Sequence, residues 1–179
     1  FEFELLATVN RFDEKFRKYS PALVYAREFV FYIPELDAYL SPTDLRYRLG
    51  MAPFMIAGNT ALVIDKGNKT NFRHIKINTK EDNLAEANYI IDFSEGFANP
   101  TLDKTNRWYG HRGSFYRYSY FVTPTDKKEE FRKSASVSGA EGIEHISSSV
   151  ENSDTYYQGP EPKPFILHAQ LGVLGLLEL

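Results

Sequence analysis

The chain opens on an alternation. In FEFELLATVN, Phe1, Phe3 and Leu5 interleave with Glu2 and Glu4, the period of two that marks a strand with one face wet. A charged turn and a weaker extended run ending at Pro21 follow, so residues 1–24 read as a hairpin. REFVFYIPELD puts Phe29, Phe31 and Ile33 on one face and releases the chain at Pro34. LRYRL from Leu45, TALVID, FRHIKIN and NYIIDF are further extended runs, with Leu45, Tyr47 and Leu49 alternating against arginines. Residues 94–113 read as a long polar connection. FYRYSYFV then places Phe115, Arg117, Ser119 and Phe121 on one strand face and Tyr116, Tyr118, Tyr120 and Val122 on the other. The charged stretch after it reads as a turn and a return strand. Residues 140–164 are rich in Ser, Glu and Pro and read as a stalk, and FILHAQLGVLGLLEL fits a strand, a helix or the start of a membrane span. Turn residues recur about every ten positions, the spacing of a β-sandwich rather than of βαβ units.

Composition supports strands over helices: aromatics make up 15% of the 179 residues, with 14 Phe and 12 Tyr. A formal charge of -3 gives no global reason to expect nucleic acid. The absence of cysteine removes disulfides, thiolate catalysis and the common zinc motifs, without fixing the compartment. Phe1-Glu2-Phe3-Glu4 is not the start of a signal peptide, which leaves either a cytosolic chain or a processing boundary.

Two segments are alike. FEFELLATVNRFDEKFRKYSPAL and FYRYSYFVTPTDKKEEFRKSASVSG each run from an aromatic strand through a turn of Asp, Lys and Glu to Phe-Arg-Lys and a serine-bearing strand. The first resembles the closing strands of a fibronectin type III module. NYIIDFSEGFANPTLDKTNRWYGHRGSFYRYSYFV is similar to the membrane-proximal type III module of receptor-type protein tyrosine phosphatases. Trp108 departs from that pattern, because it stands in the long connection and not in the second strand. The resemblance implies an all-β, immunoglobulin-like or fibronectin type III β-sandwich with extra irregular segments. Its divisions would be a closing hairpin at 1–24, a module at 25–140, and a stalk with an apolar segment at 141–179. It implies a non-catalytic extracellular region for adhesion, ligand recognition or spacing, membrane-anchored in the full-length protein, without cofactors. Its partners would be a cell-surface protein or a glycosaminoglycan. The oligomeric state stays open.

The residues themselves offer few chemical candidates. His74, His111, His145 and His168 share no metal-ligand spacing with one another or with a carboxylate on one element. Asp92, Glu95 and Asp103 lack the order of a compact calcium loop and read as surface acids. Gly110-His111-Arg112-Gly113-Ser114 matches neither a phosphate loop nor a nucleophile elbow. Arg107, Trp108, Tyr109, His111, Arg112 and Arg117 are the ligand-binding candidates, as a cation–π surface for an anionic partner such as a sulfated glycan. Lys127, Lys128, Arg132 and Lys133 form a second basic group, diluted by Glu129 and Glu130. Asn68-Lys69-Thr70 is a glycosylation sequon. Two other classes remain open beside a receptor module: a jelly-roll viral capsid or shell subunit, and a small cytosolic β-barrel hydrolase or ligand-binding protein with His111 or His74 against a carboxylate.

Overall fold

A computed structural model describes residues 2–19, 25–47, 49–64, 70–94, 96–97, 99–137, 142–154 and 163–173. The chain is mostly β, as the alternation anticipates, with two antiparallel sheets of five and four strands and few helices. It divides into two compact units, Phe1–Asp82 and Asn83–Leu179, so the division does not coincide with the expected ones after residues 24 and 140. Among the described residues no helix is long and apolar enough to cross a membrane.

In the first unit, β1 (Glu4–Thr8), β2 (Glu28–Ile33), β3 (Ala38–Leu40), β4 (Thr60–Ile64) and β5 (Asn71–His74) form a sheet in the order β3-β2-β1-β4-β5. β1 lies between β2 and β4, with Leu6 opposite Val30 on one side and Val63 on the other. The expected pairing of β1 with the segment ending at Pro21 is therefore corrected, because β1 satisfies both of its edges with β2 and β4. Leu6, Val30, Tyr32, Tyr39 and Ala61 point to a core that Ala52, Ile56, Ala57 and Ile75 complete from loops. The expected strand at 45–49 is a turn at its described positions, held where Arg46 clamps the Asp44 carboxylate through two nitrogens at 2.8 and 2.6 Å. Alternation with arginine signals a strand only where a neighbouring edge is free to pair, and here the side chains close on their own turn. Asn68 lies outside the described residues.

At the rim of this core, Arg73 holds Glu4 through two nitrogens at 2.7 and 2.9 Å and lies over the Tyr32 ring. The Tyr32 hydroxyl donates to Asp37 at 2.9 Å, and Asp37 sits in the left-handed region with φ 44°. That hydrogen bond, then the Lys76 ammonium, holds the Asp37 carboxyl below the usual range. A depressed carboxyl contributes stability above its unfolded pKa and loses it as pH falls through the folded value. Tyr32→Phe is thus expected to move the Asp37 titration toward higher pH, by NMR of its side-chain carbonyl. An unmoved midpoint would remove the hydrogen bond from this account.

The second unit carries β6 (Ala85–Asp92), β7 (Thr101–Trp108), helix α1 (Gly110–Val122), helix α2 (Lys128–Val137), β8 (Ile143–Glu151) and β9 (Phe165–Val173). The sheet order is β6-β7-β9-β8, and every neighbouring pair is antiparallel. Trp108, Phe165 and Leu167 are buried with Tyr120 of α1, and Tyr116, Phe131, Ala135 and Val150 pack against them. Both helices therefore cover one face of this sheet.

Four expectations are corrected here. Residues 115–122 lie within α1 instead of a strand. Five rings in seven positions make every periodicity look apolar, and the helical one wins because Gly110, Gly113, Ser114, Arg117 and Tyr120 bury at spacings of three and four. The expected return strand is α2. The polar connection contains β7, whose alternation is carried by Asn106 and Trp108 facing inward. The stalk contains β8, an edge strand that needs little apolar content.

Candidate functional site

Strand alternation divides the four-stranded sheet into two chemistries. On β9, Phe165, Leu167, Ala169 and Leu171 are buried on the helix side, and Ile166, His168, Gln170 and Gly172 project from the other. On β7, Asn106 and Trp108 go to the helix side and Asp103, Thr105 and Arg107 to the opposite face. A bulge between His145 and Ser147 shifts β8 by one residue, which brings Ser147, Ser149 and Glu151 onto that same face. Register then sets Thr105 and Ser149 on either side of His168, and Asp103 and Ser147 on either side of Gln170.

These six side chains line an open groove of about 510 Å³. His168 is its centre. Nδ1 is 3.1 Å from the Thr105 hydroxyl, and Nε2 is 3.0 Å from a Glu151 carboxylate oxygen. A carboxylate only accepts, so Nε2 carries the proton; in the neutral ring Nδ1 then accepts from Thr105. The ring is fixed on both sides with its plane set by two strands. Lys104 borders the groove through its backbone position, but its ammonium donates to the Ser136 carbonyl oxygen at 2.9 Å, and burial lowers its pKa.

The six residues expected from the sequence do not assemble into one surface. Trp108 is 6% exposed and stacks on Tyr116 with ring centroids 4.1 Å apart, so its ring belongs to the core. Arg117 is 5% exposed and donates to the carbonyl oxygens of Asn152 at 2.8 Å and Lys163 at 2.7 Å. Neither presents a cation–π platform, because strand alternation turns Trp108 inward at the end of β7 and α1 buries Arg117. Tyr109 caps the start of α1, and its N–H donates to the Leu84 carbonyl. His111 is half-buried in the first turn, with its N–H donating to Asn83. Arg112 is exposed on the same turn. Arg107 alone shares the face of the groove, two residues beyond Thr105.

Of the other candidates, His74 ends β5, and His145 lies 2.9 Å from the Ser148 hydroxyl on the helix side of β8. Asp92 accepts from the N–H and hydroxyl of Ser94, Asp103 stands eleven positions away on the neighbouring strand, and Glu95 lies outside the described residues. Among the described residues no three His, Cys, Asp or Glu side chains gather as metal ligands. In the second basic group, Lys127 pairs with Glu130, Lys128 lies over the Tyr120 ring and Arg132 donates to the Tyr120 hydroxyl.

The Thr105–His168–Glu151 set escapes a reading by sequence spacing, because its members stand 63 and 17 residues from His168. The alternation within FILHAQLGV was the available signal. Protein-family models, curated proteins and solved structures give no match to this chain.

Proposed function

We propose that this chain is a non-catalytic recognition module, and that the open face of its four-stranded sheet binds a hydroxyl-rich ligand of the neutral carbohydrate class. The observation that carries this reading is the groove itself. Three hydroxyls, a primary amide, a carboxylate and a fixed imidazole offer donors and acceptors at strand spacing, which suits a flat polyol. A sulfated glycan would meet Asp103 in the groove and Glu151 beside it at His168. Recognition is favoured over turnover by the surroundings of the Thr105–His168 pair. A hydroxyl beside an imidazole is one part of an acyl-transfer site, but the other part is a set of free N–H donors for an oxyanion. The residues flanking Thr105 and His168 belong to a paired ladder that uses its N–H groups between strands. The extracellular, cell-surface setting enters this proposal through the sequence resemblance alone.

Titration of the labelled protein with neutral oligosaccharides is expected to move the amide signals of Thr105, Ser147, Ser149, His168 and Gln170. Gln170→Ala and His168→Ala should each weaken that binding about tenfold, the loss of one good hydrogen bond of about 1.4 kcal/mol, with little change in melting temperature. Perturbation of the helix side instead, or none across the oligosaccharides, would overturn the reading.

A further inference from the structure

We infer that β6 is a homodimer interface, at which two copies of this chain join their four-stranded sheets edge to edge. The two ends of the sheet are treated differently. β8 ends it with a bulge, which discourages pairing with another chain. β6 ends it as eight regular residues that pair, among the described residues, with β7 only. Every residue of β6 is exposed, on both faces. Tyr89, Ile90 and Ile91 are 54%, 62% and 53% exposed, in a strand without proline, lysine or bulge. Such an edge is a template for strand addition.

The occupant is argued from charge and symmetry. An antiparallel pair of identical strands whose sheets continue one another has its two-fold axis perpendicular to the sheet, so one residue stands opposite itself. Centring on Tyr89 sets Glu86 against Asp92 twice. Centring on Asn88 sets Glu86 against Ile90, and centring on Ile91 sets Asp92 against Ile90. Centring on Ile90 resolves all of these: Asn88 meets Asp92, an amide donor against a carboxylate, and Ile90 meets Ile90 on the same face. Tyr89 meets Ile91 on the other. Apolar and aromatic cross-strand pairs of this kind stabilise a sheet, and like charges directly opposite destabilise it. The blunted β8 edges then lie at the outside of an eight-stranded sheet, so association stops at two copies.

The absence of cysteine makes the test clean, because one introduced thiol has only its own copy to pair with. Opposed residues of an antiparallel pair have Cα atoms about 4.5–5.5 Å apart, within disulfide reach. The full chain carrying Ile90→Cys should oxidise to a covalent dimer at least about tenfold faster than chains carrying Asn88→Cys or Tyr89→Cys, the rate following thiol proximity. Sedimentation of the cysteine-free chain should show a monomer–dimer equilibrium, and Ile90→Lys should raise its dissociation constant about tenfold or more by placing like charges opposite each other. Ile90 is an exposed position, so Ile90→Lys leaves the unit folded by circular dichroism. A monomer at all concentrations, preferential cross-linking through residue 88 or 89, or growth beyond two copies would overturn the inference. So would a monomer that adds an extended peptide at β6.

Discussion

Replacing Arg117 by alanine is expected to lower the stability of the second unit by about 3 kcal/mol in denaturant unfolding, and its melting temperature by about 10 °C or more. The guanidinium is buried and donates from Nε to the Asn152 carbonyl and from a terminal nitrogen to the Lys163 carbonyl. Those carbonyls flank the connection between β8 and β9, and Asn152, in the left-handed region with φ 56°, also donates to Pro164 at 2.9 Å. One side chain of α1 therefore fixes where two strands enter and leave the sheet. Hydrogen bonds from a charged donor are worth about 1.5–3 kcal/mol each; water reaching the two carbonyls in the variant returns part of that. Arg117→Lys should recover less than half of the loss, because an ammonium on an unbranched stem does not span two carbonyls as a planar fork does. Arg112→Ala, on the exposed side of the same helix, should change stability by no more than about 0.5 kcal/mol. Equal stability of Arg117→Ala and the parent chain would show that the fork does not hold the connection.

The contrast between Arg112 and Arg117 shows what was legible in the sequence. Strands with one dominant period could be read directly. Phe29, Phe31 and Ile33 do share a face of β2, and NYIIDF does lie in or beside β6. The aromatic run could not be read, because its rings satisfy both a period of two and one of 3.6, and its buried helical face is marked by glycines, a serine and an arginine instead of apolar residues. β8 was hidden for another reason. Ile143 and His145 lie on the helix side, then the bulge moves the pattern to Ser148 and Val150, so no single period runs through the strand. The groove is further from the sequence still. Its residues come from three strands, and only the register of β7, β9 and β8 makes Thr105, His168 and Glu151 neighbours. Residue types are local facts; cross-strand neighbours are long-range ones that pairing alone decides.

Gly113→Ala should destabilise the same unit by about 3 kcal/mol or more, although alanine in place of glycine inside a helix ordinarily stabilises by about 1 kcal/mol. A Cβ at position 113 would overlap the carbonyl oxygen of Trp108, with the carbonyl carbon at 3.0 Å and the Phe165 nitrogen at 3.8 Å. Relief requires backbone to move, because the obstacle, the Trp108 carbonyl, is main chain, while the Phe165 nitrogen lies at ordinary contact distance. Trp108 is locked at the end of β7 by its pairing with Phe165, by its stack on Tyr116 and by burial. Gly113 is held by its own N–H, which donates to the Tyr109 carbonyl at 3.0 Å. The close approach of α1 to the end of β7 thus depends on a missing side chain, and the stack of Trp108, Tyr116 and Phe165 depends on that approach. The chain has one tryptophan, so the emission of Trp108 reports on the contact directly. A red shift of that emission together with a lower unfolding midpoint is the expected result in Gly113→Ala. Unchanged emission with raised stability, the ordinary outcome of the substitution in a helix, would mean that α1 does not pack against β7 at this glycine.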